Sequence, residues 1–116
     1  MNTKTTFGRD DHRSFNRQGA AFDRGETFSG VDFEQGLAAV EELRPLVPPG
    51  ATLAQLALRW ILSFEAVTCA IPGAKRPAQV EENVAAADLP ALPEATLAAV
   101  RGIYERRIRP SVHHCW

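Results

Sequence analysis

The segment spanning residues 66–83 constrains the fold more than any other part of the chain. Residues 66–71 form a short, partly β-branched apolar run that stops at Pro72-Gly73. An apolar run on both alternating faces is typical of a strand covered on both sides in a parallel sheet. Pro77 suits the first position of a helix that continues to about Ala87. The segment therefore predicts a strand, a tight turn and a helix.

Two cations lie at the start of this predicted helix. The first amides of a helix have no backbone partner, and the helix dipole is positive there. Lys75 and Arg76 directly precede Pro77. Together with the helix amides they could hold a phosphate, although such a pair is also common in solvated surface loops. Gln79, Glu82 and Asn83 share the i, i+3, i+4 spacing of one helix face.

Helix signals divide the rest of the chain. Asp32 with Gln35, and Thr52 with Gln55, have the spacing of capping boxes, and Pro93 suits the start of a last helix. Pro, Gly and polar residues separate these segments. The predicted order is a loop over residues 1–30, two helices within 31–63, the strand, turn and helix within 66–87, and a C-terminal helix and irregular tail over 93–116.

A single buried strand has a consequence for the whole fold. Its backbone amides and carbonyls need neighbouring strands, and no other segment of the sequence offers one. A structureless loop of about 30 residues is also unusual in a compact domain. We therefore expect this chain to be the end of a larger α/β chain.

Composition excludes several function classes. Thirteen basic and fourteen acidic residues give a net charge of −1, without the basic excess typical of binding to nucleic acid or anionic membranes. The sequence shows no signal peptide and no apolar run long enough to span a membrane. The spacing of its two cysteines is not that of a disulfide framework. His113, His114 and Cys115 could each bind a metal ion, but three adjacent residues cannot easily converge on one ion. A soluble, cytoplasmic chain without a metal site is expected.

Four stretches in combination resemble one known family. They are F-D-R-G-E-T-F at residues 22–28, T-L-A-Q-L-A-L-R-W at 52–60, I-P-G-A at 71–74 with Gln79 and Glu82-Asn83, and V-H-H-C-W at 112–116. The chain resembles the aldo-keto reductases, NADP(H)-dependent oxidoreductases built on a TIM barrel. The resemblance makes residues 66–71 the eighth barrel strand. The fold class it implies is α/β, a C-terminal fragment of a (β/α)8 barrel that is mostly helical, with about one strand and a long N-terminal loop.

The resemblance also assigns cofactor residues. Lys75 and Arg76 would lie along the 2′-phosphate of NADP(H), and Gly73 and Ala74 would let the backbone approach the adenosine half. Further contacts to the ribose phosphate or adenine would come from Gln79, Glu82 and Asn83. Barrels often bind phosphate at the loops after strands seven and eight, where these residues would fall. Many members have an arginine in place of Gln79, so strict preference for NADP over NAD is not expected.

The resemblance implies that the catalytic tetrad, an Asp, a Tyr, a Lys and a His, lies on the first four barrel strands, which this sequence lacks. The one tyrosine, Tyr104, lies on the apolar face of the last predicted helix, where a core or rim aromatic is expected. Two functions follow. The chain is either a reductase portion that binds the cofactor of carbonyl reduction without the tetrad, or a non-catalytic helical module. The partner of such a module could be the missing N-terminal barrel portion.

Overall fold

The computed structural model describes residues 8–10 and 30–115, and this part of the chain is helical. The helices are α1 (Phe33–Leu43), α2 (Leu53–Ile61), α3 (Pro77–Ala85), α4 (Glu94–Ile103) and α5 (Arg109–Val112), with 3-10 turns at Arg44–Leu46, Ala86–Asp88 and His113–Cys115 and a π-helical turn at Tyr104–Ile108. The predicted loop over residues 1–30, and the motif at 22–28 within it, lie almost wholly outside the described residues. None of the described helices has the length and apolar character needed to cross a membrane.

The chain divides into two compact units. The first comprises Met1–Leu43 with Val100–Trp116, and the second comprises Arg44–Ala99. The boundary falls within α4. Each unit has its own small group of buried apolar side chains, so each is described by itself.

The first unit begins with a capped helix. Asp32 Oδ1 accepts hydrogen bonds from the backbone N–H groups of Glu34 (3.0 Å) and Gln35 (3.2 Å), which confirms Asp32 as the cap of α1. Gln35 does not complete the predicted box, because its Oε1 accepts from Arg107 at 3.4 Å. Leu37 and Ala39 of α1 are buried, as is Ile103 at the end of α4.

Charged side chains join α1 to the π-helical turn within the first unit. Arg107 Nη2 lies 2.6 Å from Glu42 Oε1, and Arg106 Nη2 lies 2.9 Å from Glu42 Oε2, so each carboxylate oxygen faces one guanidinium. Hydrogen bonds from Arg107 and then Arg106 hold the pKa of Glu42 below its ordinary value. Arg109 Nη1 lies 2.6 Å from Glu105 Oε2, and the two residues are four positions apart in the same helical stretch.

The predicted irregular tail is wrong for the described residues. After the π-helical turn the chain continues as α5, with Pro110 in the first turn where a missing N–H is tolerated, and then as a 3-10 turn to Cys115. The hydroxyl of Tyr104 lies 3.0 Å from His113 Nδ1 across this region. The helical continuation is held by backbone hydrogen bonds, from the N–H of Arg109 to the carbonyl of Tyr104 and from the N–H of His113 to the carbonyl of Arg109, which the sequence pattern alone does not reveal.

In the second unit, a tight turn at residues 48–51 separates the 3-10 turn Arg44–Leu46 from α2. Ala51 N–H donates to the carbonyl of Pro48 at 3.0 Å, and Gly50 between them has a φ of 77°. A positive φ at the third residue of a turn is typical of type II and favours glycine. Thr52 and Gln55 then form the predicted capping box of α2, because each side chain accepts from the other residue's backbone N–H, at 3.2 and 3.0 Å.

Helices α2 and α3 pack together in the second unit. Gln55 Nε2 donates to the carbonyl of Glu82 at 2.9 Å. Arg59 Nε is shared between the carbonyls of Leu89 (2.9 Å) and Pro90 (3.2 Å), just beyond the 3-10 turn that follows α3. The buried apolar side chains of this unit are Leu56, Ala86 and Leu92. Two side chains of α2 thus fix α3 and the turn after it.

The predicted strand over residues 66–71 is wrong. Residues 67–74 have no regular structure, and no strand occurs anywhere in the ranges 8–10 and 30–115. The side chain of Ile71 is 93% exposed, and Cys69 is an exposed free thiol. A strand is defined by pairing with another strand, and the described residues supply no partner. The α/β part of the predicted fold class therefore has no counterpart here, whereas the mostly helical part is confirmed.

Candidate functional site

The candidate site surrounds the start of α3. Pro77 is the first residue of this helix, as predicted, and Arg76 precedes it in extended conformation, with φ −141° and ψ 148°. Gln79 turns back toward this end. Its Oε1 accepts hydrogen bonds from the backbone N–H groups of Lys75 (2.7 Å) and Arg76 (3.2 Å). The side chain of Gln79 therefore caps its own helix, a role that its position three residues after Arg76 favours.

The two cations border a shallow depression. Besides Lys75 and Arg76, its lining residues are Ala74, Pro77, Val80 and Glu81. Both cations are exposed, and neither forms an ion pair with a carboxylate in the part of the chain that the structure describes. Glu81 is the one acidic lining residue. The depression therefore presents two positive charges that no described carboxylate neutralises directly.

An apolar groove of about 400 Å³ lies between α2, α3 and residues 68–74. From α3 it is lined by residues at i, i+3, i+4 and i+7 spacing, which places them on one helix face. The lining residues are Leu58 and Leu62 of α2, Thr68, Cys69, Ala70, Pro72 and Ala74 of the connecting segment, Val80, Asn83 and Val84 of α3, and Ala87 just after it. Most of these side chains are apolar, and Asn83 supplies the one side-chain amide among them.

The groove and the cationic depression are continuous. Ala74 and Val80 line both of them, so an apolar surface leads directly to the Lys75-Arg76 pair. Val80 and Val84 remain 51% and 64% exposed although they line the groove. A ligand with a flat apolar part and an anionic part could contact both surfaces at once.

The structure brings some of the predicted cofactor residues together and separates others. Ala74, Lys75 and Arg76 share the depression, Gln79 is bonded to the backbone of the last two, and Asn83 lies in the groove. Glu82 lines neither surface, and its carbonyl is bonded to Gln55 of α2.

Gly73 is the remaining predicted site residue. Its φ is not positive, and a Cβ built on it would meet no atom within 4 Å. The backbone of the described chain therefore does not require glycine at this position. The same test explains Gly50, whose positive φ does require it.

Sequence reasoning missed two parts of this arrangement. It assigned Gln55 to the cap of α2 alone, whereas Gln55 also donates to Glu82, and it gave Arg59 no contact. It did not foresee the groove, although the spacing of Val80, Asn83, Val84 and Ala87 predicts a shared face of α3. That spacing was the available signal.

Comparison with known proteins decides the family. A model of the aldo/keto reductase family matches residues 1–105 of the 116-residue chain. The chain belongs to the aldo/keto reductase family. No curated protein and no solved structure is similar enough to count as a match.

Membership in the aldo/keto reductase family places the chain among oxidoreductase-type proteins and relates it to the TIM barrel fold. The tyrosine of this family member, Tyr104, is half-buried and bonded to His113. Within the described residues of this aldo/keto reductase, no group of three or more His, Cys, Asp or Glu side chains could hold a metal ion.

Proposed function

We propose that this chain provides the part of an NADP(H)-dependent carbonyl reductase that clamps the adenosine 2′-phosphate end of the cofactor. The observation that carries the proposal is the continuity, through Ala74 and Val80, between an apolar groove and a depression with two unpaired cations. Adenine is flat and largely apolar, and the 2′-phosphate is anionic, so the two surfaces match the two parts of this ligand.

Each proposed contact follows from its position. Lys75 and Arg76 bind the 2′-phosphate, and the open space at Gly73 admits the cofactor close to the backbone. Asn83 contributes a polar group inside the groove. Gln79 and Glu82 complete the set of proposed cofactor residues, Gln79 at the helix start and Glu82 as the neighbour of Asn83. When bound, NADPH supplies the hydride that reduces a carbonyl.

The chain is proposed to bind the cofactor without catalysing the reduction. Proton donation to the carbonyl oxygen needs an acidic group beside the nicotinamide, and the hydroxyl of Tyr104 is bonded to His113 instead. We expect the purified chain to oxidise no NADPH in the presence of aromatic or aliphatic aldehydes, measured as loss of nicotinamide absorbance. Turnover above a protein-free control would refute this part of the proposal. A cytoplasmic location, where NADPH is available, remains part of the same proposal.

Calorimetric titration of NADPH and NADH into the full chain tests the clamp. Replacing Lys75 and Arg76 by alanine removes charge-assisted contacts that only NADPH makes, so its affinity should fall about tenfold to a hundredfold. The affinity for NADH should change by less than about threefold. Arg101→Ala removes a positive charge from an exposed position outside the depression and controls for net charge. Equal losses for both cofactors, or none for NADPH, would refute the clamp.

A second candidate function is docking to the remaining strands of a (β/α)8 barrel on another chain. Residues 67–74 have no strand partner within the described residues, and Ile71, Val80 and Val84 are large apolar side chains that remain more than half exposed. Paired with neighbouring strands, residues 66–71 would become the barrel strand that their sequence predicts.

Mixing the chain with an N-terminal aldo/keto reductase portion that contains the first six or seven strands tests this docking. Co-elution in size-exclusion chromatography is expected, and Ile71→Asp should abolish it. Ala98→Asp introduces the same charge at an exposed position of α4 and should leave it intact. Separate elution of the wild-type chain would refute the docking.

A further inference from the structure

Residues 68–74 have a free backbone edge. Within the part of the chain that the structure describes, none of their N–H groups or carbonyls has a hydrogen-bond partner. Every second residue of this segment lines the apolar groove, as in a strand: Thr68, Ala70, Pro72 and Ala74. Cys69 also borders the groove, but Ile71 is 93% exposed. A segment with strand-like alternation and an unpaired edge is a template for pairing with another chain.

The two ends of this segment carry opposite charges. Glu65 lies before it, and Lys75 and Arg76 directly follow it. All three residues are exposed, and none of them forms an ion pair within residues 8–10 and 30–115. A segment with a negative start and a positive end is complementary to a second copy of itself that runs in the opposite direction. A copy that runs in the same direction would bring like charges together.

We propose that two copies of this chain associate by antiparallel pairing of residues 66–74, around a two-fold axis at Ala70. This inference goes beyond the proposed function and does not depend on the cofactor clamp. In this register Glu65 of each copy lies opposite Lys75 of the other, so a pair of opposite charges closes each end of the pairing. The two-fold axis makes the two ends identical.

The register also suits the backbone of the segment. Pro72 has no N–H, and it falls in a non-hydrogen-bonded pair, where no donor is needed. The N–H groups of the odd-numbered residues point to the second copy. Cys69 and Ile71 of opposite copies exchange both of their hydrogen bonds, and Gly73 donates to the carbonyl of Val67. The exposed side chain of Ile71 thereby gains Cys69 of the second copy as a cross-strand neighbour.

Sedimentation velocity of the full chain over a range of concentrations tests the pairing. A monomer–dimer equilibrium is expected, and added salt should weaken the dimer because the end charges are exposed. Glu65→Lys or Lys75→Glu places like charges opposite each other at both ends, so each should raise the dissociation constant of the dimer about tenfold or more. The double variant Glu65→Lys/Lys75→Glu restores opposite charges and the wild-type net charge. Its dissociation constant should return to within about threefold of the wild type.

Cysteine cross-linking tests the register. The two native cysteines are first replaced by Cys69→Ser and Cys115→Ser. Ala70→Cys then places two thiols at the two-fold axis, in a pair whose Cα atoms lie about 4.5 Å apart, within the range that a disulfide bridges. With oxidised glutathione as the oxidant, this variant should form a covalent dimer on a denaturing gel. Thr68→Cys in the same background is the matched control and should stay unlinked, because its two copies lie about 13 Å apart along the strands.

The outcomes separate this pairing from other modes of association. Weakening by each single charge reversal, recovery in the double variant and selective cross-linking at position 70 would support antiparallel pairing of two copies. A chain that is monomeric at every concentration would overturn the inference. So would a dimer whose dissociation constant Glu65→Lys leaves unchanged, or one that cross-links through Thr68→Cys as readily as through Ala70→Cys.

Discussion

The side-chain amide of Gln55 donates a hydrogen bond to the backbone carbonyl of Glu82, at 2.9 Å and 27 positions along the chain. The same side chain caps α2 through Thr52. One glutamine thus links the start of α2 to the middle of α3, where the proposed cofactor residues lie. Two of the stretches that carry the family resemblance, those containing Gln55 and Glu82, are thus in direct contact.

Substitutions at Gln55 should separate its two roles. Gln55→Ala loses the cap and the contact to Glu82, so the free energy of unfolding should fall by about 1–3 kcal/mol. Gln55→Glu keeps the acceptor for Thr52 N–H but loses the Nε2 donor, so we expect a loss of about 1 kcal/mol. Urea unfolding gives both values. An unchanged free energy of unfolding in Gln55→Glu would mean that the contact to Glu82 contributes nothing, and equal losses in both variants would mean that the cap contributes nothing.

The bifurcated hydrogen bond of Arg59 predicts that lysine cannot replace it. Arg59→Lys keeps the charge and the aliphatic stem, but its ammonium does not reproduce the planar Nε–H directed at the carbonyls of Leu89 and Pro90. We expect a loss of about 1 kcal/mol in the free energy of unfolding. Arg101→Lys, in the exposed part of α4, is the control and should stay within about 0.5 kcal/mol of the wild type.

The two loop glycines Gly50 and Gly73 should respond differently to alanine. Gly50 has a φ of 77°, which costs a side chain about 1–2 kcal/mol, so Gly50→Ala should lower the free energy of unfolding by that amount. Gly73 has open space and no positive φ. Gly73→Ala should therefore leave stability within about 0.5 kcal/mol of the wild type and weaken NADPH binding. Unchanged NADPH binding would contradict the proposed approach of the cofactor at Gly73.

The ion pairs of Glu42 predict a pH dependence of stability. Its pKa is lowered in the folded chain by hydrogen bonds from Arg107 and Arg106, so the folded state favours the carboxylate. The stabilisation is present above the ordinary carboxyl pKa and is lost as the pH falls through the lowered value. Glu42→Gln should therefore reduce the decline of the urea midpoint between neutral and acidic pH. Glu81→Gln, which removes a carboxylate without such a pair, should preserve the wild-type decline.

Local chemistry made much of this fold predictable. The cap at Asp32, the capping box of Thr52 and Gln55, and the start of α3 at Pro77 depend on residues within one helical turn, and all were confirmed. The predicted strand over residues 66–71 does not depend on local chemistry alone, because a strand exists only where another strand pairs with it. Its apolar composition was real, but the described residues supply no neighbour.

The candidate site was predictable in its composition and less so in its geometry. The Lys75-Arg76 pair and the helix start follow from sequence, whereas the groove depends on how α2 packs against α3. Gln79 shows the difficulty most clearly. Its position favours both a ligand contact and a cap, and only the distances to the Lys75 and Arg76 amides reveal the cap.

Residues 67–74 connect two helices that other contacts already hold together. The bonds of Gln55 and Arg59 and the buried side chains of Leu56 and Ala86 join α2 to α3 and the turn after it without involving this segment. Continuity of the polypeptide is therefore dispensable for this packing. A protease that cuts the exposed segment should leave a nicked chain whose two pieces migrate together in native gels and separate only under denaturing conditions.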